Sequence, residues 1–325
     1  MSRKLFLGLL SLVLCVSFFP PEAIGLDYPT REIEVIAGFP PGSTLDQIAR
    51  VVAKFGEKHV GKPMVVVNKP GGGGTRGFSS LAAAKPDGYT IGIVSQSAIL
   101  QPYLMKGVTF NYKKSFRIIC QVAYTAEGVY VKKGSPYDMP FKELIKMGKE
   151  KPNTIRCGVG GSWTGSDVAR FILEDITGAK YIRVPHPAGG QEMIPALLGG
   201  HTHFNIGEGA QWAPLYKAGK FNILAVSTEK RDPRFPDIPT LKELGYDIVY
   251  PVSFYIGAPA GTPDAIVDFL AQALKKGVAE EGYREANDLA FNTPAWEGPA
   301  DSLKAMEKLD DMFQKLIKKY DLKPE

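Results

Sequence analysis

The chain has 325 residues, of which 44% are hydrophobic and 22% are charged, as in an ordinary globular protein. Its formal net charge of +5 is small and its basic residues are not clustered, which argues against a nucleic-acid-binding protein and slightly favours an anionic ligand.

The first 25 residues predict a secretory signal peptide. Arg3 and Lys4 precede an apolar run at 5–19, two prolines break that run, and Ala-Ile-Gly at 23–25 offers the small residues expected before a cleavage site. The run is too short for a transmembrane helix, although an uncleaved N-terminal anchor is the alternative. We therefore expect a periplasmic mature protein of about 300 residues, which is long enough for two domains.

Strands and helices alternate in the first part of the mature region. The segments "REIEVIAGF" (31–39), "PMVVVNK" (63–69) and "YTIGIVSQS" (89–97) predict strands. The segment "LDQIARVVAKFGEKHV" (45–60) predicts a helix. The segment "PGGGGTRGFSSLAAAKPDG" (70–88) predicts a glycine turn followed by a second helix. This order is typical of a parallel sheet with helices on both faces, whose binding sites lie at the carboxyl ends of the strands.

The same alternation then begins again. The segment "FRIICQVAYTAEGVYVKKGSP" is mostly β and crosses from one region to the next, and "TIRCGVGG", "KYIRVPHPAGG", "HTHFNIGEGA" and "FNILAVST" predict strands. Helices are predicted in "FKELIKMGKEKPN", "SWTGSDVARFILEDITG" and "QEMIPALLGG". After a proline-rich connection, "YPVSFYIGAPAGTP" predicts a return strand, and two helices close the chain.

These elements predict an α/β protein with two lobes and a hinge that the chain crosses twice. Lobe 1 is predicted from residues 26–125 and 250–325, and lobe 2 from residues 126–249. Two lobes joined in this way form a cleft that can open and close.

A nucleotide site is weakly supported by the sequence. A Walker loop ends in Gly-Lys-Ser or Gly-Lys-Thr, and the turn "AGFPPGSTLD" at 37–46 contains no lysine. Gly72, Gly74 and Gly77 fit the Gly-x-Gly-x-x-Gly pattern of dinucleotide-binding folds. That pattern also requires an acid at the end of the next strand, where this chain has Ser-Gln-Ser at 95–97.

Catalytic and metal-binding patterns are incomplete as well. The segment "GGSWTG" at 160–165 begins like the Gly-x-Ser-x-Gly motif of hydrolases, but its fifth residue is threonine. His186 is the best candidate for a general base. His201 and His203 share one face of a predicted strand, and Glu208 is the one further metal ligand evident nearby. We therefore predict no catalytic residue, no metal and no cofactor, with a hydrolase as an alternative.

Anion binding agrees best with these turns. Glycines and small hydroxyl residues stand before four predicted helices, at 42–44, 71–74, 160–162 and 188–190. The first backbone N–H groups of a helix have no partner inside the helix, and the helix dipole favours a negative charge beside them. Four such helix starts around one cleft predict a site for a small anion.

The order and spacing of several segments over nearly the whole mature region resemble one family. These segments are "YPTREIEVIAGFPPGSTLDQIARVVA", "VVVNKPGGGGTRG", "AAAKPDGYTI", "VPHPAGGQEMIPALLGGHTHF", "ILAVSTEKRDPRFPDIPTLKELG" and "GAPAGTP". The chain resembles the periplasmic solute receptors of tripartite tricarboxylate transporters, also called the Bug or TctC family.

The resemblance implies a periplasmic-binding-protein type II fold that closes over its ligand. It also implies delivery to a membrane permease of one large and one small subunit, driven by an ion gradient. Usual ligands of the family are di- and tricarboxylates, acidic amino acids and aromatic acids. The loops that match 39–46 and 160–166 hold a ligand carboxylate in the family, partly through water. We expect a monomer. A sensory accessory protein that presents its ligand to a receptor kinase is the main alternative.

The second lobe departs from the family pattern in three places. Asp167 stands where the family often has histidine, and His186 lies in a segment that usually reads Val-Pro-Tyr-Lys-Gly. His203 replaces the usual acid after a Gly-Gly pair, and Glu208 follows at the strand end. These changes leave the far end of the ligand unpredicted, while the first lobe keeps its carboxylate-binding pattern.

Together these patterns predict the contacts of the ligand. Asp46 is expected to support the first helical turn rather than to touch a carboxylate. Tyr124, Trp163, Phe254 and Tyr255 could cover an apolar part of the ligand or pack in the core. The predicted ligand-binding residues are Phe39, Pro41, Gly42, Ser43, Thr44, Asp46, Gly73, Ser95, Ser97, Gly161, Ser162, Thr164, Ser166, His186 and Glu208.

Two cysteines, Cys120 and Cys157, remain in the predicted mature region. They are too few for a disulfide scaffold or a zinc site. They could pair with each other in an oxidising compartment, but two buried thiols in strands are favoured.

Overall fold

The computed structural model describes residues 27–325, so the predicted signal peptide lies outside the described residues. The strands of this range are β1 (Ile33–Ala37), β2 (Met64–Asn68), β3 (Thr90–Ser95), β4 (Phe116–Thr125), β5 (Glu127–Lys132), β6 (Arg156–Val159), β7 (Ile182–Pro185), β8 (Phe204–Glu208), β9 (Phe221–Val226), β10 (Val252–Pro259) and β11 (Thr293–Glu297). The helices are α1 (Thr44–Val60), α2 (Thr75–Ala82), α3 (Ser97–Leu104), α4 (Tyr112–Ser115), α5 (Phe141–Glu150), α6 (Gly165–Thr177), α7 (Gly190–Leu198), α8 (Gly209–Lys217), α9 (Asp264–Val278), α10 (Glu281–Leu289) and α11 (Pro299–Tyr320).

The strands form two sheets, and the chain crosses from one sheet to the other twice. The first sheet has the order β11-β4-β10-β3-β1-β2, and the second has the order β7-β6-β8-β5-β9. Strand β10 reaches the first sheet from the second and lies antiparallel between β3 and β4. Strand β5 follows the crossing from the first sheet to the second and lies antiparallel between β8 and β9. This confirms the predicted α/β fold in which the chain crosses twice between two sheets, while the exact lobe boundaries stay a prediction.

Helix α1 shows how local sequence sets the elements that carry the site. The Ser43 side chain accepts a hydrogen bond from the backbone N–H of Asp46 and caps the helix. Ile48, Val52 and Phe55 recur on one face and are buried, and α1 packs there against α9. The helix therefore begins one residue before its predicted start, directly at the end of the turn that follows β1.

Several elements lack a clear sequence signal and were not predicted. Helices α3 and α8 are short and contain a proline each, Pro102 and Pro214. Helix α10 is mostly polar. Strand β11 contains Pro294 and lies at the edge of the first sheet, where a missing N–H is tolerated. Tertiary packing rather than local propensity places these elements.

The two cysteines lie in different sheets and are free thiols. Cys120 is in β4 and Cys157 is in β6, and both are fully buried. Burial raises the pKa of both thiols well above the usual range. They therefore pack as small apolar side chains, as the favoured alternative predicted.

None of the helices within residues 27–325 combines the length and the apolar character that crossing a membrane requires.

Gly77 offers a test of the packing that positions the loop after β1. A Cβ atom at Gly77 would stand 2.5 Å from the Cα atom of Gly38, which cannot rotate away because it is backbone. We expect Gly77→Ala to lower the free energy of unfolding by about 1–3 kcal/mol, the range for overpacking, in chemical denaturation. In the control Gly298→Ala the new Cβ meets no atom within 4 Å. Because Gly298 is the N-cap of α11, where alanine is disfavoured, we expect this variant to lower the free energy of unfolding by no more than about 1 kcal/mol. Equal effects of the two variants would contradict this account.

Candidate ligand-binding site

A cavity of about 160 Å³ lies between the two sheets. Its walls come from the residues that follow β1, β6, β7 and β8, so the carboxyl ends of strands from both sheets meet there. The volume is below the roughly 300–1,000 Å³ typical of pockets for drug-sized ligands, which indicates a compact ligand. The cavity is lined by Phe39, Gly42, Ser43, Thr44, Leu45, Gly160, Thr164, Gly165, Ser166, Ala188, Gly189, Gly190, Gln191, Ile194, Glu208, Ala210 and Gln211.

The first wall is the turn that leads into α1. The carboxylate of Asp46 is turned away from the cavity and accepts a hydrogen bond of 2.8 Å from the backbone N–H of Gly42. Arg50 and Asn68 donate to the same carboxylate at 3.0 and 2.8 Å. Burial raises the pKa of Asp46, but the hydrogen bonds from Arg50, Gly42 and Asn68 outweigh it and lower the pKa. Asp46 thus holds the turn in shape as an ionised group.

The second wall is the loop that leads into α6, and an aspartate stabilises it in the same way. Asp167 accepts a hydrogen bond of 2.9 Å from the backbone N–H of Trp163, again four residues earlier. Arg170 and Arg183 donate to Asp167 at 3.0 and 3.2 Å. The residue that departs from the family pattern at this position therefore shapes the loop from behind.

Hydroxyl groups in the same loop are aimed at its own backbone and at each other. Ser166 Oγ accepts a hydrogen bond of 2.8 Å from the N–H of Gly160. Thr164 Oγ1 donates to the carbonyl of Gly161 at 3.1 Å and lies 3.2 Å from Ser166 Oγ. Thr164 and Ser166 therefore present an ordered polar surface to the cavity.

Loops from the two sheets touch each other beside the cavity. A Cβ atom at Gly161 would stand 3.3 Å from the Cα atom of Gly73, and both glycines have positive φ, 125° and 62°. Glycine is required there because a side chain would separate the two backbones. Gln191 Nε2 in α7 donates a hydrogen bond of 2.6 Å to the carbonyl of Pro41. These contacts join the two sheets across the cavity and describe a closed arrangement.

A pair of glutamates lies on neighbouring strands next to the cavity. Glu127 at the start of β5 and Glu208 at the end of β8 are directly opposite in the antiparallel register, so their side chains share one face. Within the described residues, neither carboxyl oxygen of Glu127 has a hydrogen-bond partner. Burial and the neighbouring Glu208 raise the pKa of Glu127 well above the usual range.

Glu208 differs from Glu127 because it reaches the cavity. It is partly exposed and belongs to the lining, whereas Glu127 is 2% exposed. Burial raises the pKa of Glu208, and the nearby Thr44 hydroxyl and Gln211 amide oppose that rise. Gln211 Nε2 donates to Glu208 at 3.4 Å, while the Thr44 hydroxyl is near but completes no hydrogen bond with a described residue.

Seven of the predicted ligand-binding residues line this cavity. They are Phe39, Gly42, Ser43, Thr44, Thr164, Ser166 and Glu208. Pro41, Gly73, Gly161 and Asp46 are outside the lining. The buried Ser95 and Ser97, together with Ser162 and His186, are outside the lining. A role of all these residues in ligand contact stays a prediction.

The polar side chains missed by sequence analysis come from the starts of α7 and α8. Gln191 and Gln211 each stand shortly after a glycine at a helix start, and Ile194 lies one turn into α7. The Gly-Gly pair at 189–190 drew attention to the first helix start, but α8 had no comparable signal. The apolar wall consists of Phe39, Leu45 and Ile194.

The four aromatic residues considered as cover for a ligand lie elsewhere. Trp163, Phe254 and Tyr255 are buried in the hydrophobic core, as the core alternative predicted. Tyr124 lines a different depression beside the crossing between the sheets.

The histidines form neither a general base in the cavity nor a metal centre. His203 stacks on Tyr137 at 4.2 Å between ring centroids, and its Nδ1 accepts a hydrogen bond from the N–H of Arg156. Burial lowers the pKa of His186, which lies outside the lining. In residues 27–325 no group of three or more His, Cys, Asp or Glu side chains is arranged to hold a metal ion.

Comparison with known proteins matches the sequence of this chain to a family of receptors. Residues 48–319 match the model of the family described as "Tripartite tricarboxylate transporter family receptor". A relative from Cupriavidus necator, named "UPF0065 protein in gbd 5′ region", is 34% identical over 270 residues, which cover 82% of this chain and 80% of the relative.

Solved structures give the same result. The structure of the periplasmic binding protein BugD is 26% identical with a TM-score of 0.84 and covers 92% of this chain and 100% of its own. The protein Rpa4515 of R. palustris, solved with adipate, is 25% identical with a TM-score of 0.85 and the same coverage.

The raised pKa of Glu127 predicts that the stability of the protein falls as this group ionises. A carboxyl group with a raised pKa in the folded state stabilises the fold below its unfolded pKa of about 4.3 and loses that contribution as the pH rises. Glu127→Gln is neutral at every pH, so its free energy of unfolding should rise relative to that of the wild type as the pH increases above about 4. We expect a gain of about 1 kcal/mol or more by urea denaturation.

The matched control for this measurement is Glu57→Gln, which removes an exposed carboxylate from α1. Its free energy of unfolding should run parallel to that of the wild type over the same pH range. A difference between Glu127→Gln and the wild type that is independent of pH would contradict the raised pKa of Glu127.

Proposed function

The chain belongs to the tripartite tricarboxylate transporter receptor family, and on this premise we propose that it is a periplasmic solute-binding receptor for a small carboxylate. The receptor delivers its ligand to a membrane permease of one large and one small subunit. The observation that carries the proposal is the cavity between the two sheets, whose walls are helix starts rich in backbone N–H groups.

Three helix starts support binding of a carboxylate group. Helices α1, α6 and α7 begin at the cavity with Thr44, Gly165 and Gly190, and each has at least nine residues. Free N–H groups and the helix dipole stabilise a negative charge at such positions. A micromolar affinity requires roughly −8 kcal/mol in total. A few hydrogen bonds to a charged group, at about 1.5–3 kcal/mol each before ordering costs, can supply it.

Closure of two lobes is the proposed mechanism of capture. We assign residues 26–125 and 250–325 to lobe 1 and residues 126–249 to lobe 2. A ligand in the cavity touches both, and it shifts the balance toward the closed form because it binds that form more tightly. The Gln191–Pro41 hydrogen bond and the Gly73–Gly161 contact belong to the closed form.

The likeness to an adipate-bound protein supports a carboxylate of modest size. Receptor rather than enzyme is the proposed role, since the family is one of transporter receptors. Of the predicted contacts, those in the cavity lining are proposed to touch the ligand, and Pro41, Asp46, Gly73 and Gly161 are proposed to shape and close the site.

Ser43 provides a direct test of the carboxylate site. Asp and Asn both cap helices as well as Ser does, so Ser43→Asp and Ser43→Asn should both keep α1 intact. The aspartate adds a negative charge to the wall that is proposed to hold a carboxylate. We expect Ser43→Asp to weaken ligand binding by tenfold or more, whereas Ser43→Asn weakens it less than threefold, in isothermal titration calorimetry.

The ligand for this titration comes from a thermal-shift screen of the mature protein. The panel contains acetate, succinate, adipate, citrate, benzoate, amino acids, neutral sugars and simple amines. The proposal predicts that at least one carboxylate raises the melting temperature. A rise with sugars or amines and with no carboxylate would refute it, as would equal affinities of the two Ser43 variants.

A further inference from the structure

The cavity lining carries an acid and no basic side chain. Among the described residues that line it, Glu208 is the one ionisable side chain, and no lysine, arginine or histidine accompanies it. Arg50 of α1 and Arg170 of α6 are engaged with Asp46 and Asp167. The cavity therefore combines N–H groups of helix starts, which attract a negative charge, with an acid that repels one.

Glu208 has unused capacity for a hydrogen-bond donor. A carboxylate has two oxygens with about four acceptor positions. In the described part of the chain it receives one hydrogen bond, the long one from Gln211 at 3.4 Å. Glu208 also stands at the N-cap position of α8, where the helix dipole favours its ionised form. The exposed part of its side chain belongs to the cavity wall.

Glu127 explains how a charge can persist on Glu208. A Cβ atom at Gly165 would stand 3.0 Å from Glu127 Oε1, so this carboxyl group lies directly behind the start of α6. Two neighbouring buried carboxyl groups cannot both ionise easily. Glu127 is sealed from the cavity and has the more strongly raised pKa, so Glu208 ionises before Glu127 as the pH rises.

The groups that face this pair come from four elements. Thr44 of α1, Gln211 of α8 and Tyr130 of β5 surround Glu208, and Tyr250, which precedes β10, lies near Glu127. All are uncharged at neutral pH, since burial raises the pKa of both tyrosines. A neutralising cation for Glu208 is thus absent from the described residues and has to come from the ligand.

We propose that Glu208 is the specificity-determining residue of the cavity and selects a small aminocarboxylate, whose ammonium group it binds while the helix starts bind the carboxylate. This inference rests on the proposed function, because it assigns the far end of the same ligand. A dicarboxylate would place its second negative charge beside Glu208, and a ligand with an ammonium group would instead satisfy the free oxygens of Glu208.

Matched ligands separate the two cases. We would titrate the wild-type mature protein with β-alanine and γ-aminobutyrate, and with malonate and succinate, which have the same numbers of carbon atoms. Isothermal titration calorimetry at neutral pH should show at least tenfold tighter binding of an aminocarboxylate than of its matched dicarboxylate.

Variants then assign the preference to one side chain. Glu208→Gln should weaken aminocarboxylate binding at least tenfold and leave dicarboxylate binding unchanged or tighter, because it removes the charge but keeps the shape. Glu57→Gln removes an exposed charge from α1 and should leave both affinities unchanged. Thermal denaturation of each variant checks that it is folded.

Three further outcomes have distinct meanings. Tighter binding of dicarboxylates by the wild type overturns the inference and leaves the proposed carboxylate receptor intact. Aminocarboxylate binding that Glu208→Gln does not weaken also overturns it. Binding of neither class, nor of any carboxylate in the thermal-shift panel, refutes the proposed function and the inference together.

Discussion

The double crossing of the chain between the two sheets is the constraint on which the rest of the structure depends. Strands β5 and β10 each follow a crossing and run antiparallel to both of their neighbours. The two crossings tie the sheets together, and the carboxyl ends of β1, β6, β7 and β8 meet at one cavity. Residues from distant parts of the chain therefore line the same cavity, and in the proposed mechanism the sheets open about the two crossings.

The carboxylates that shape the cavity walls are kept separate from the polar groups that line the cavity. Asp46 and Asp167 each accept a hydrogen bond from a backbone N–H four residues earlier, and each pairs with an arginine. These bonds stabilise the turns and neutralise the arginine charges outside the cavity. The lining itself contains backbone groups, hydroxyls, two glutamine side chains and Glu208. In the proposed site, selectivity therefore depends on one acid rather than on a set of cations.

Long periodic segments were predictable, and elements held by tertiary contacts were not. The apolar period of α1 and the alternation of strands and helices identified the α/β architecture. Elements α8, α10 and β11 were not predicted because α8 and β11 contain proline and α10 is mostly polar. Each of them is stabilised by the elements it packs against. Gln191 and Gln211 escaped notice for a related reason. Nothing local marks a glutamine as part of a cavity wall.

The sequence by itself determined the two-lobed α/β fold, its family resemblance and the helix starts rich in glycine and hydroxyl residues, because these depend on local periodicity and turn chemistry. Only the tertiary structure decided which acids face the cavity. Asp46 and Asp167 turn behind their loops, whereas Glu208 reaches the ligand space and Glu127 lies sealed beside it. The pairing of Glu127 with Glu208 joins residues 81 positions apart through the register of β5 and β8, and strand register is set by the packing of the whole sheet.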